Sequence, residues 1–157
     1  MTFDKLVWRF VKACQDFEVR ALLVGGGAVN FHGYQRHSAD VDFWIDVSAE
    51  NLENLKKALK KIDVEIDTFP DSVKQQKQNI SIKISPLFTI ELITRFNPGK
   101  SFEEAWDVAV WATVEQDGKV ASYRVLHLDD LVASKLLSGR PKDMLDVQEL
   151  QRKRNQS

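Results

Sequence analysis

The sequence predicts an α/β domain, a small mixed β-sheet with helices packed on it. Three observations predict it. Apolar residues recur at helical spacing in some segments and alternate at strand spacing in others. Three glycines, Gly25 to Gly27, follow directly on the short apolar run Leu22-Leu23-Val24. The 157 residues suffice for one domain with a real core and are too few for two ordinary ones. The expected organisation is therefore a single domain over 1–157 that closes with a helical pair over 128–153.

The bulk properties narrow the function classes. A net charge of −1 gives no general attraction to nucleic acid, so any polynucleotide contact must come from a local patch. The lone Cys14 excludes an intramolecular disulfide and a cysteine-rich zinc site, and it reads as a small buried hydrophobe. No apolar run is long enough to span a bilayer, and no signal segment opens the chain. A cytoplasmic protein without a membrane partner is the expectation.

Taken in order, Thr2 to Phe17 carries an apolar stripe at helical period: Phe3, Leu6, Val7, Phe10, Ala13, Cys14 and Phe17. Arg20 to Val24 is the first strand. The glycines then allow a sharp turn, and Ala28 to Phe31 begins a short helix. Asp40 to Val47 is a strand with Val41, Phe43 and Ile45 on one face. Ser48 caps the next helix, which buries Leu52, Leu55, Leu59 and Ile62 and leaves its lysines to solvent. The segment from Val64 to Gln78 is the least readable; Pro70 can open a short helix there, and a mobile segment is expected. Ile80–Ile84 and Phe88–Thr94 alternate and form an antiparallel pair. Ser101 caps a helix through Ala109. Val110–Gln116 and Lys119–Val125 flank Asp117-Gly118, a two-residue hairpin signal. Leu128–Ser138 is a helix ended by Gly139, and Pro141 starts the next.

The chemistry concentrates between Val24 and Asp46. Side chains on a strand alternate, so Asp40 and Asp42 share a face, with β-carbons about 6–7 Å apart. Carboxylates at that spacing can share a hard cation or bridge two. Glycine lets backbone approach a ligand closely, and a helix start offers free N–H groups. A triphosphate can therefore rest on Gly25 and Gly26, with Mg²⁺ between it and the aspartates. Arg36 can contact a phosphate or pair with an aspartate. Ser38 can help hold phosphate, or bond the backbone where the strand starts. His32 and His37 lack partners at zinc-ligand spacing. Glu91 is an acid between aliphatic neighbours on a strand expected at the centre of the sheet. It needs a cation or a proton, or an ion pair with Lys83 or Arg95.

The run GGGAVNFHGYQRHSADVDFWID resembles the signature of the DNA polymerase β-like nucleotidyltransferases. It is most similar to small bacterial members related to AbiEii-like toxins of type IV toxin–antitoxin systems. Gly25, Gly26, Ala28, Val29, His32, Gly33, Arg36, Ser38, Asp40 and Asp42 fall on a pattern G-G-x-A-V-x-x-H-G-x-x-R-x-(S/T)-x-D-x-D. The run KLLSGRPKDMLDV, from Lys135, is similar to the closing motif of the same group.

The resemblance implies a nucleotidyltransferase fold and Mg²⁺-dependent transfer of an NMP from an NTP to a hydroxyl. The acceptor it implies is tRNA or protein, with a cognate antitoxin or toxin protein as partner. Two Mg²⁺ ions are implied at Asp40, Asp42 and Glu91, with Mn²⁺ as the alternative ion. Glu91 stands where that group usually has aspartate. Lys135 is implied to hold nucleotide phosphate. Asp143 is implied near the site, as an acceptor-side base or a binder of Lys135. From the residues alone, Lys135 is a solvated cation and Asp143 a favourable helix-start acid. The alternative is a non-catalytic nucleotide- or protein-binding partner that keeps this fold.

Overall fold

The computed structural model describes residues 3–35, 40–86 and 88–156. Arg36, His37 and Ser38 lie outside these described residues. Among the described residues there are seven helices and six strands, the strands forming one mixed sheet. The order along the chain is α1 (Phe3–Asp16), β1 (Ala21–Val24), α2 (Gly25–Phe31), β2 (Asp40–Ile45), α3 (Ala49–Lys61) and α4 (Asp71–Lys74). Then come β3 (Ile80–Ser85), β4 (Phe88–Ile93), α5 (Phe102–Val108), β5 (Val110–Gln116), β6 (Lys119–Val125), α6 (Leu128–Ser138) and α7 (Pro141–Asn155).

The sheet runs β3-β4-β2-β1-β6-β5. Strands β1 and β2 are antiparallel neighbours at its centre, each parallel to its outer neighbour, β6 and β4. Two antiparallel pairs, β3 with β4 and β5 with β6, close the edges. The centre is dry because its strands are apolar on the face that meets α1. Val41, Phe43 and Ile45 are buried there, and Phe10 of α1 sets its ring 5.0 Å from that of Phe43. Full burial of each such ring contributes about 1.5–3 kcal/mol. On the other face Trp44 packs edge-on to Phe102, with ring centres 4.9 Å apart.

Local chemistry sets most boundaries. Ser48 accepts from the Asn51 N–H at 3.2 Å, and Ser101 with Glu104 forms a reciprocal capping box. Asp117 and Gly118 both have positive φ, 54° and 78°, as the tight hairpin between β5 and β6 requires. Gly139 ends α6 in the left-handed conformation at φ 67°, and Pro141 opens α7.

Two expectations change. The glycines are not a loop ahead of the helix: α2 begins at Gly25 itself and contains all three. Gly25 alone makes the turn, at φ +61°, and Gly26 and Gly27 already wind as helix. Gly27 must be small there, since a β-carbon on it would stand 2.9 Å from Leu23 Cδ1. The segment after α3 is anchored in the core rather than loosely attached, because Phe69 and Val73 are buried.

Candidate active site

The site is built where β1 ends and β2 begins. Because these strands are antiparallel, Val24 pairs with Asp42. Gly25 therefore lies beside the Asp42 carboxylate. A β-carbon on Gly25 would collide with Asp42 Oδ2, so only glycine permits this approach. On the other side, β2 and β4 are parallel and Asp42 pairs with Glu91. Paired residues on neighbouring strands point to the same face, about 4.8 Å apart in the backbone. Asp40, Asp42 and Glu91 thus stand on one face of the sheet.

The charges confirm their proximity. Burial raises the Asp42 carboxyl above the ordinary aspartate value, and the negative charges of Asp40 and Glu91 raise it further. Lys135 and Lys142 oppose this without reversing it. Asp42 is a half-buried acid short of positive charge. Glu91 does not pair with Lys83 or Arg95; Ser81 Oγ on β3 donates to its Oε2 instead.

A cleft of about 480 Å³ opens beside these acids, lined by Gly25, Asp42, Asn79, Arg95, Lys135 and Arg140 among others. Helices α6 and α7 form its second wall. Lys135 is buried, and its Nζ lies 2.9 Å from Asp146 and 3.3 Å from Asp143. Asp143 is fully buried and also accepts from Arg140 Nε at 2.7 Å and Nη2 at 3.2 Å. Burial opposes its ionisation, yet bonds from Arg140, Ser138 and Lys135 win and hold its pKa well below the ordinary range. An acid held so firmly ionised is a poor proton acceptor, and its geometry is that of a binder of Lys135 and Arg140.

Among the described residues, no group of three or more histidine, cysteine, aspartate or glutamate side chains forms a ready-made metal cage. The acids fit a different mode. Mg²⁺ commonly takes one or two carboxylates and fills its shell with water and substrate phosphate oxygens. Asp42, whose charge is opposed by burial and by two acidic neighbours, is the kind of carboxylate such an ion relieves. Asp40 and Asp42 are the residues that could hold it, with Glu91 adjacent.

The structure thus gathers Gly25, Gly26, Asp40, Asp42 and Glu91 at one strand junction, and sets Lys135 and Asp143 across the cleft. Ser38 lies outside the described residues. Residues that sequence reasoning did not single out for the site are Ser81, Asn79, Arg95 and Arg140. The Ser81 signal was its place on the alternating strand next to Glu91; the others reach the cleft through the packing of separate segments.

A mixed sheet carrying paired acids against a glycine-opened helix defines a nucleotidyltransferase-type domain. The chain belongs to DUF6036, the nucleotidyltransferase family of unknown function, whose profile matches residues 10–152. No curated protein matches the chain. Among the described residues, no helix is long and apolar enough to cross a membrane.

Proposed function

We propose that this protein moves a nucleoside monophosphate from an NTP to a hydroxyl acceptor in the cytoplasm, in a Mg²⁺-dependent reaction. One observation carries the reading. A half-buried carboxylate pressed by like charge, Asp42, abuts the glycine that turns the chain into α2, beside a cleft lined also by Lys135 and Arg140.

The triphosphate lies against the start of α2 at Gly25 and Gly26, where the backbone comes close to the Asp42 carboxylate. Lys135 spends two of its three N–H directions on Asp143 and Asp146, and the third is open to a phosphate oxygen. Ser38 contributes from the segment before β2. Asp40 and Asp42 hold the metal, two Mg²⁺ ions or Mn²⁺, with Glu91 completing the set. When bound, the metal neutralises phosphate charge and steadies the entering and leaving oxygens. The acceptor oxygen attacks the α-phosphorus in line, a new O–P bond forms, and the bond to the β-phosphate breaks to release pyrophosphate. Glu91, whose Oε2 accepts from Ser81, takes the hydroxyl proton. The similarity to AbiEii-like toxins supports tRNA or protein as acceptor and a cognate antitoxin or toxin as partner.

The test is pyrophosphate release and label transfer from α-labelled NTPs, with bulk tRNA and protein acceptors, in Mg²⁺ and in chelator. Transfer by wild type that is lost on Asp42→Asn is the expected result. Equal transfer by the variant overturns the reading. The engagement of Glu91 by Ser81 favours one second reading, a nucleotide-binding partner without chemistry. Tight Mg²⁺-dependent NTP binding with no pyrophosphate would identify it.

A further inference from the structure

The opposite end of β1 carries a second chemistry. Arg20 directly precedes this strand, as Gly25 directly follows it. Here a separate cavity of about 320 Å³ lies between α1, the end of β1, α5 and the β5–β6 hairpin. Its floor is apolar: Phe10, Val11, Val19 and Phe43. Cys14 also lines it, and burial raises its thiol so far that it stays protonated and acts only as a hydrophobe.

The polar element is Arg124. Its guanidinium is stacked between two indoles, 4.1 Å from the ring centre of Trp106 and 4.5 Å from that of Trp111. Nη1 donates to the Trp106 carbonyl at 2.8 Å. Its Nε is buried and has no hydrogen-bond partner. Among the described residues Arg124 forms no ion pair. The neighbouring Arg20 is differently placed, with Glu103 at 2.6 Å and Asp46 at 3.6 Å from its Nη1. Burial and then the charge of Arg20 push the Arg124 guanidinium below its ordinary value, and Asp107 only partly offsets them. The buried Nε–H of Arg124 is costly, and it leaves the outer nitrogens of the guanidinium as the ones a ligand in the cavity can meet. Glu18 lines the rim of the cavity but is exposed, where water screens its charge. Trp111 is 61% exposed, so this side of the stack faces solvent.

We propose that this cavity is a second ligand site, for a small monocarboxylate with an apolar body, its carboxylate on Arg124 and its body against Phe10 and Phe43. The volume is that of a small-molecule site, whose walls are mostly apolar with a few convergent polar groups. One guanidinium that forms no ion pair among the described residues matches one negative charge. A phosphate monoester brings roughly 1.5–2 charges and a larger desolvation cost. The site is independent of the proposed transfer chemistry.

The test uses the full chain and three probes: 4-phenylbutyrate, its neutral amide, and phenyl phosphate. Titration is followed by calorimetry and by the indole N–H signals of the four tryptophans. The expected result is saturable one-to-one binding of the carboxylate that shifts the Trp106 and Trp111 signals. The amide binds about tenfold or more weakly, the loss of one charged hydrogen bond. Arg124→Gln weakens the carboxylate to the level of the amide, and Asp42→Asn leaves it unchanged. Absence of saturable binding at millimolar concentration, or equal binding of the amide, overturns the site. Tighter binding of phenyl phosphate overturns the carboxylate assignment. The amide comparison needs no variant, so it decides the matter even if Arg124→Gln does not fold.

Discussion

Asp42 and Asp143 line the same cleft and are opposite in state. Asp42 faces Asp40 and Glu91, and both its neighbours and its burial push its pKa up. Asp143 faces Lys135 and Arg140, and its bonds to them and to Ser138 pull its pKa down against burial. Asp42 on one wall of the cleft is thus pressed by like charges, and the other wall carries a set of two cations and two acids, Lys135, Arg140, Asp143 and Asp146. The difference teaches where to look for chemistry. A balanced cluster holds two helices together, its cations and acids offsetting one another. An acid such as Asp42, opposed by burial and like charge, costs stability, and a ligand cation can relieve it.

The largest expected effect breaks the unbalanced wall. Asp42→Asn lowers transfer by roughly a thousandfold or more, the several kcal/mol that metal-supported charge stabilisation contributes. The same variant raises the Tm of the metal-free protein. A raised folded pKa means that ionised Asp42 opposes folding, and the penalty grows as pH climbs through that pKa. Urea melts at pH 4 and pH 7 should show the variant gaining on wild type at the higher pH. A variant less stable than wild type at pH 7 would make Asp42 a structural residue. Mg²⁺ with NTP should raise the Tm of wild type and leave the variant unmoved.

Asp143→Asn acts with the opposite sign. It removes the acceptor shared by Lys135 and Arg140. Breaking a fully buried pair costs about 3–5 kcal/mol, and here about 2–3 kcal/mol is expected because Asp146 still holds Lys135 and Arg140 reaches water. A folded pKa below the unfolded value contributes stability at neutral pH. It is lost as pH falls below about 4, the ordinary aspartate value. The deficit of the variant against wild type in denaturant melts should therefore shrink in acid, where the advantage of Asp42→Asn shrinks as well; the two gaps have opposite sign. Gly25→Ala is milder in stability, about 1–2 kcal/mol for a side chain at positive φ. Its methyl must displace the Asp42 carboxylate, so it should lose the Mg²⁺-dependent rise in Tm along with transfer.

Much of this was readable because the causes are local. Asp40 and Asp42 share a face by strand period alone, and Gly139, Pro141, Ser48 and Ser101 mark their helix ends by chemistry within four residues. The faces of β4 were equally legible, with Ile90 and Leu92 buried and Glu91 turned the other way. What could not be read depends on which strands meet. Only the order β3-β4-β2-β1-β6-β5 sets Glu91 opposite Asp42 and Ser81 opposite Glu91. The glycines misled as a loop because a single residue, Gly25, supplies the whole turn, and no sequence pattern says how many glycines a turn consumes. The balanced cluster was half visible: Asp143 and Asp146 lie three apart on one helix face, but their contact with Lys135 needs the packing of α6 on α7. The stacking of Arg124 between Trp106 and Trp111 joins two elements and carries no local signal.

The smallest expected effect sharpens the comparison most, because it asks to which wall Glu91 answers. Its Oε2 accepts from Ser81, so the carboxylate is either a site acid steadied by a hydroxyl or an acceptor that merely ties β4 to β3. Ser81→Ala removes one exposed hydrogen bond, about 0.5–1.5 kcal/mol at most. Glu91→Gln keeps an acceptor for Ser81 but removes the charge that presses on Asp42. If Glu91 serves the site, Glu91→Gln lowers kcat by about a hundredfold or more, as loss of a proton acceptor does. It also raises the metal-free Tm in the direction of Asp42→Asn, while Ser81→Ala costs less than tenfold in kcat. If Glu91 serves the strand pairing, Ser81→Ala lowers Tm slightly, Glu91→Gln leaves the strand pairing intact because it still accepts from Ser81, and neither changes the response to Mg²⁺. Because Glu91→Gln preserves shape and hydrogen bonding, a difference between the two variants comes from charge, the quantity that separates the two walls.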